Sequence, residues 1–120
     1  MQTLNLSELI KTLKELTTFP VFKTDITKDE TQSNESFFIV EQDGDLSRTE
    51  GNGGFRRDFL ISFITKNDSV IDDIQLILAV EPHGLIFERT ETDYGRMAGT
   101  QKEVKMMTFI FSQPLWVEYL

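Results

Sequence analysis

The chain has 120 residues, 39% of them apolar and 27% charged, a balance that suits one packed core and excludes both a disordered tail and a coiled-coil rod. Twenty Asp and Glu against twelve Lys and Arg leave a formal charge of -8, which repels phosphate backbones and anionic membranes. The absence of cysteine excludes disulfides, thiolate nucleophiles and thiolate metal sites together.

Leu6, Leu9, Ile10, Leu13 and Leu16 recur at helical spacing, and Asn5 followed three residues later by Glu8 is a capping pattern. Pro20 disfavours helical backbone at Phe19, so the helix is expected to end near Thr17. Polar residues interleave with its leucines, so the segment reads as neither a signal peptide nor a membrane span, and the expected compartment is the cytoplasm. Residues 21–27 alternate as a strand, with Phe22, Thr24 and Ile26 on one face and Lys23, Asp25 and Thr27 on the other. Residues 28–36 are polar and read as a loop, and residues 37–41 as a short apolar strand. Residues 43–54, DGDLSRTEGNGG, form a long glycine-rich loop. The strand at 57–65 that follows is apolar on both faces, which predicts a central position covered on each side.

Ser69 with Asp72 opens a second helix, on which Val70, Ile71, Ile74, Ile77 and Leu78 are expected to share one face and which ends before Pro82. His83 and Gly84 then make a turn. Residues 85–90 read as a strand, 91–103 as a second long polar loop, and 104–112 as the last long strand. In that strand Met107, Phe109 and Phe111 oppose Met106, Thr108 and Ile110, and Pro114 interrupts it. Residues 115–120 are apolar and aromatic and are expected to pack on the body or on a neighbour. The sum is a single α+β domain over residues 1–120: an antiparallel-rich mixed sheet of about five strands with two helices packed on it and long flexible loops at 43–54 and 91–103.

No residue pattern points to catalysis. His83 is the one histidine and lacks the companions that a base or metal site requires. Asp43, Asp45 and Ser47 have the spacing of the first ligands of a calcium loop, but Arg48 stands where that loop needs glycine and Gly54 where it needs glutamate. The run from Gly51 to Gly54 lacks the lysine and the following helix of a phosphate cradle. Asp72 and Asp73 suit a helix start, and Glu88, Glu91 and Asp93 read as a solvated face. The ten phenylalanines lie at strand periodicity, where they pack a core. Arg48, Arg56 and Arg57 are the one basic cluster, read either as a charged strand entrance that blocks edge pairing or as a salt-bridge site toward an acidic neighbour. No catalytic residue, metal or cofactor is assigned.

Loops of twelve and thirteen residues exceed the usual hairpin connection, and such loops serve as binding elements that become ordered when a partner supplies contacts. At this point the chain resembles the tail terminator and minor capsid proteins of long-tailed bacteriophages. The likeness runs through the LIKTLKEL helix, the SFFIVEQ strand, the DGDLSRTEGNGGFRRDF loop and strand entry, the NDSVIDDIQLILAV helix and the KMMTFIFSQP strand. It is carried by polarity and element order. The resemblance implies a structural virion protein of the head-tail interface that forms a hexameric ring, caps the tail tube and docks to the head connector. It also implies contacts with itself, with the major tail tube protein and with a head-tail connector protein, DNA as passing cargo only, no membrane, and no enzymatic activity. It makes Asp43, Asp45, Arg48, Glu50, Gly51, Gly53, Gly54, Arg56 and Arg57 a subunit or tube contact loop, and Asp93, Tyr94, Arg96 and Met97 a second one. The implied location is the virion tail, reached from the host cytoplasm. A head-tail joining or tail completion protein, and a monomeric acidic immunity or binding module, share the same size and charge.

Overall fold

The computed structural model describes residues 4–24, 33–49, 54–96 and 103–116, the side chain of Trp116 excepted. The first helix, Leu6–Leu16 (α1), starts where its sequence predicts: the Asn5 side chain accepts a hydrogen bond from the Glu8 N–H, and the Thr17 N–H closes the last turn on the Leu13 carbonyl. Leu9 and Leu13 are its fully buried residues.

Six strands form one sheet: Val21–Lys23 (β1), Ser36–Glu41 (β2), Leu46–Arg48 (β3), Gly54–Thr65 (β4), Ile86–Arg96 (β5) and Glu103–Trp116 (β6). The order is β1-β2-β4-β6-β5, with β3 also paired to β4. β1 runs parallel to β2, and every other pair is antiparallel. The architecture is therefore α+β with a mixed, antiparallel-rich sheet, as expected. Of the strand predicted at 21–27, the structure shows Val21–Lys23, and residues 25–27 lie outside the described residues.

β4 is central. It takes β2 against Leu60 to Thr65 and β3 against Phe55 to Arg57 on one edge, and β6 along its whole length on the other. Phe59, Ile61 and Phe63 face the helices together with Phe38, Val40, Phe109 and Phe111, and these join Leu9, Leu13, Leu76 and Val80 in one core. The aromatic pair Phe38–Phe63, with ring centres 5.0 Å apart, and the edge-on pair Phe87–Phe111 at 5.5 Å tie neighbouring strands across that face. Both described helices lie on this one side. Cover on each side was expected; the far face carries Ile39 and Leu60 half-exposed beside buried Phe37, Ile64 and Ile110.

The second helix, Asp73–Val80 (α2), begins at Asp72, whose carboxylate accepts from the Gln75 N–H at 3.0 Å. Ser69 was expected to share the cap. It belongs instead to a hydroxyl cluster at the end of β4, where Ser36, Thr65 and Ser69 all donate to the Asn67 Oδ1. Nor does α2 bury the expected face. Leu76 and Val80 point into the core with Ile71 and Ile77 beside them, while Val70, Ile74 and Leu78 are 89%, 63% and 64% exposed. The helix is apolar nearly all round, so its periodicity does not determine which side turns inward.

The last strand also differs. Pro114 does not interrupt β6; it stays in register opposite Arg56. β5 ends its pairing at Ser112, so beyond that point β6 is an edge strand, where a missing N–H is tolerated. Residues 117–120, expected to pack on the body or a neighbour, lie outside the described residues.

Candidate contact segments

The first of the two expected loops is a hairpin. Residues 36–48 run along one edge of β4 as β2 and β3, and the register shifts by two residues between them: Glu41 faces Leu60, but Leu46 faces Arg57. The extra residues are accommodated at Gly44. Its N–H donates to the Asp58 carbonyl at 3.2 Å, and the Asp58 N–H returns to the Asp45 carbonyl at 2.9 Å. A Cβ at Gly44 would overlap the Asp58 backbone, so the close approach requires glycine here. The hairpin closes with the Thr49 N–H on the Gly54 carbonyl at 3.1 Å. Residues 50–53, which include Glu50, Gly51 and Gly53, lie outside the described residues.

The basic cluster is split by this geometry. Arg48 and Arg57 stand on the helix-side face of the hairpin with Leu46 and Phe55, because Leu46 pairs with Arg57 and Arg48 with Phe55, and antiparallel partners share a face. The Arg48 guanidinium lies 4.8 Å from the centre of the Phe55 ring. The half-buried Arg57 donates to the Gly44 carbonyl at 3.1 Å. Arg56 projects from the other face, where it donates to Ser47 at 3.1 Å and lies 3.8 Å from Glu88, itself a hydrogen-bond acceptor for Ser112. Asp43 and Asp45 are exposed behind the hairpin. Ser47, the third residue of the calcium-like spacing, is engaged by Arg56, and among the described residues no group of three or more carboxylates or histidines is placed around a common point. Gly54 is buried at the start of β4 opposite Trp116, so it belongs to the sheet.

The second expected loop is also mostly strand. β5 continues through Glu91, Asp93, Tyr94 and Arg96, and Arg96 pairs with Glu103. Its outer edge has no strand partner among the described residues, and all residues from Glu88 to Arg96 are exposed. Asp93, Tyr94 and Arg96, with Val104 and Met106, line a shallow hollow of about 310 Å³; Met97 lies outside the described residues.

The two segments occupy opposite ends of the sheet. The first lies where Gly54 meets Trp116, the second where Tyr94 meets Lys105 and Lys105 meets Thr65. Twelve residues of β4, about 40 Å of strand, separate them.

His83 is a structural link. The Thr12 hydroxyl donates to the Glu8 carbonyl and lies within hydrogen-bond distance, 2.9 Å, of the His83 Nε2, a contact that ties the turn after α2 to α1. What the arrangement offers chemically is recognition: exposed guanidinium groups, a strand edge with no strand partner among the described residues, and exposed apolar side chains.

Neither a protein-family model nor a curated protein sequence matches the chain.

Sequence reasoning placed Val70, Ile74 and Leu78 on one face with Ile71 and Ile77 but did not show that these three remain exposed. The four-residue spacing puts Ile74 and Leu78 on one face of α2, with Val70 ahead of the helix, but the same helix offers Leu76, Ile77 and Val80 as a competing face.

Proposed function

We propose that this protein is a structural ring subunit of a long-tailed bacteriophage, a tail terminator that caps the tail tube and docks to the head connector. The observation that carries this reading is the separation of two recognition segments by the length of β4, in a molecule 56 Å long and 27 by 24 Å across. A subunit that joins two tiers of an assembly needs one contact surface at each end, held apart by a stiff body. The hairpin with Arg48 and Arg57 is one such surface, and the end of β5 with Tyr94 and Arg96 is the other. Exposed Asp43 and Asp45, within a chain of formal charge -8, suit the lining of a bore through which DNA must slide without sticking. The role is one of assembly, without catalysis.

Purified protein mixed with preformed tail tubes and imaged by electron microscopy tests this. The expected result is density at one tube end and at no other place. Binding along the tube wall, or none, overturns the reading. Binding to isolated head connectors but not to tube ends reassigns the protein to head-tail joining. In an assembled ring, Asp43 and Asp45 pointing outward would remove the proposal that they line the bore.

A further inference from the structure

The outer face of α2 has the composition of a covered surface. Ile74 and Leu78, one turn apart on α2, and Val70 in the segment leading into it are large apolar side chains, each well over half exposed, and exposure of this kind is normal only for scattered residues. Two hollows flank the start of this apolar patch. One, of about 260 Å³, is lined by Phe63, Ile71, Met107 and Lys105; the other, of about 300 Å³, by Leu16, Phe19 and Gln75. Val70 and Ile71 border both. Exposed Asp68, Asp72 and Asp73 stand around this end, and the segment from Asn67 to Pro82 contains no lysine or arginine. Three exposed carboxylates against Lys105 as the one cation lining the two hollows among the described residues favour an occupant that brings apolar side chains and positive charge.

A second copy laying its own α2 on this face brings more carboxylate and no cation. The hairpin of β3 and β4 brings what is needed. Its helix-side face carries Leu46, 52% exposed, with Phe55, Arg48 and Arg57. On that face neither arginine has a carboxylate within ion-pair distance among the described residues, whereas Arg56 on the reverse face has Glu88. The hairpin lies at one end of β4, and Val70 lies beyond the other, so the two surfaces of one molecule stand too far apart to meet.

We infer that the α2 patch is the docking site for the β3–β4 hairpin of a second copy of this chain, with Leu46 seated on the patch and Arg48 facing Asp73. Such a contact joins unlike surfaces, so it propagates from copy to copy and closes into a ring if the rotation allows. The inference deepens the ring reading above and rests on it for closure; the contact itself is tested separately.

The test is sedimentation and cross-linking of the full chain at low salt, up to ~1 mM. Wild type self-associates, and Ile74→Glu and Arg48→Glu each weaken association by about tenfold or more. Both sites are exposed, so circular dichroism should show a native fold. Asp73→Lys alone is also weakened, and an equimolar mixture of Asp73→Lys with Arg48→Glu recovers association, because each variant supplies the complement of the other. A wild type that stays monomeric throughout, an Ile74→Glu chain that associates like wild type, or a mixture that does not recover overturns the contact. Tube-end capping, measured in parallel, separates the two ideas. Normal capping by a chain indifferent to Ile74→Glu removes the contact and leaves the terminator reading, whereas association that responds as described without capping removes the terminator reading and leaves the contact.

Discussion

At Gly44 a methyl group would overlap the Asp58 carbonyl at the point where β2 gives way to β3. Gly44→Ala is therefore expected to lower stability by about 1–3 kcal/mol, the usual cost of forcing atoms into a filled space. The check is a urea titration in which the midpoint falls while the slope is unchanged. Thr65 is a second residue whose neighbours specify it. Its hydroxyl is buried, lies 2.8 Å from Ser36, donates to Asn67 and accepts from the Ser69 N–H at 3.0 Å, beside Asp68 in the left-handed region at φ 56. Thr65→Val keeps the shape and strips the hydroxyl, so it should cost about 1–3 kcal/mol in thermal denaturation through unpaired buried groups, and Thr65→Ser should recover most of it. Neither role is readable from the chain order. Asp58 is fourteen residues from Gly44 and Ser36 is twenty-nine from Thr65, so the partners that make these residues necessary come together only in the sheet.

Elements whose signals are local were legible, and those set by neighbours were not. α1 is specified by Asn5, Glu8 and five leucine-type positions within twelve residues, and the structure follows them closely. α2 carries an equally strong apolar signal on more than one side, so its rotation is decided by the sheet beneath it. Leu76→Ala is expected to cost ~2–5 kcal/mol, and Leu78→Ala to stay within ~0.5 kcal/mol under conditions where the chain is monomeric; the opposite ranking in chemical denaturation would mean the helix turns its other side inward. The outer part of β5, ERTETDYGR, shows no apolar alternation because both its faces are wet, and among the described residues its pairing comes from β6. β3 is hidden for the same reason: three exposed residues become a strand because β4 is long enough to hold them.

Over the whole molecule the charge is one-sided. The pairs Arg56–Glu88 at 3.8 Å and the exposed Arg89–Glu91 at 3.0 Å are weak in water, so in a chain of formal charge -8 added salt has more repulsion to screen than attraction to weaken. The melting temperature is therefore expected to rise between ~10 mM and ~150 mM salt, as the screening length shortens from about 30 to 8 Å; a fall would point to stabilising ion pairs. The length of the body follows from β4, which holds β6 along its whole length and β2 and β3 along most of its other edge. Because opening that strand means breaking both of its ladders together, its amides between Phe59 and Ile64 should be the last in the chain to exchange with deuterium, at a rate set by global unfolding. The outer edge of β5 should exchange within the earliest phase, so isotope labelling would read the sheet from its free rim inward to its spine.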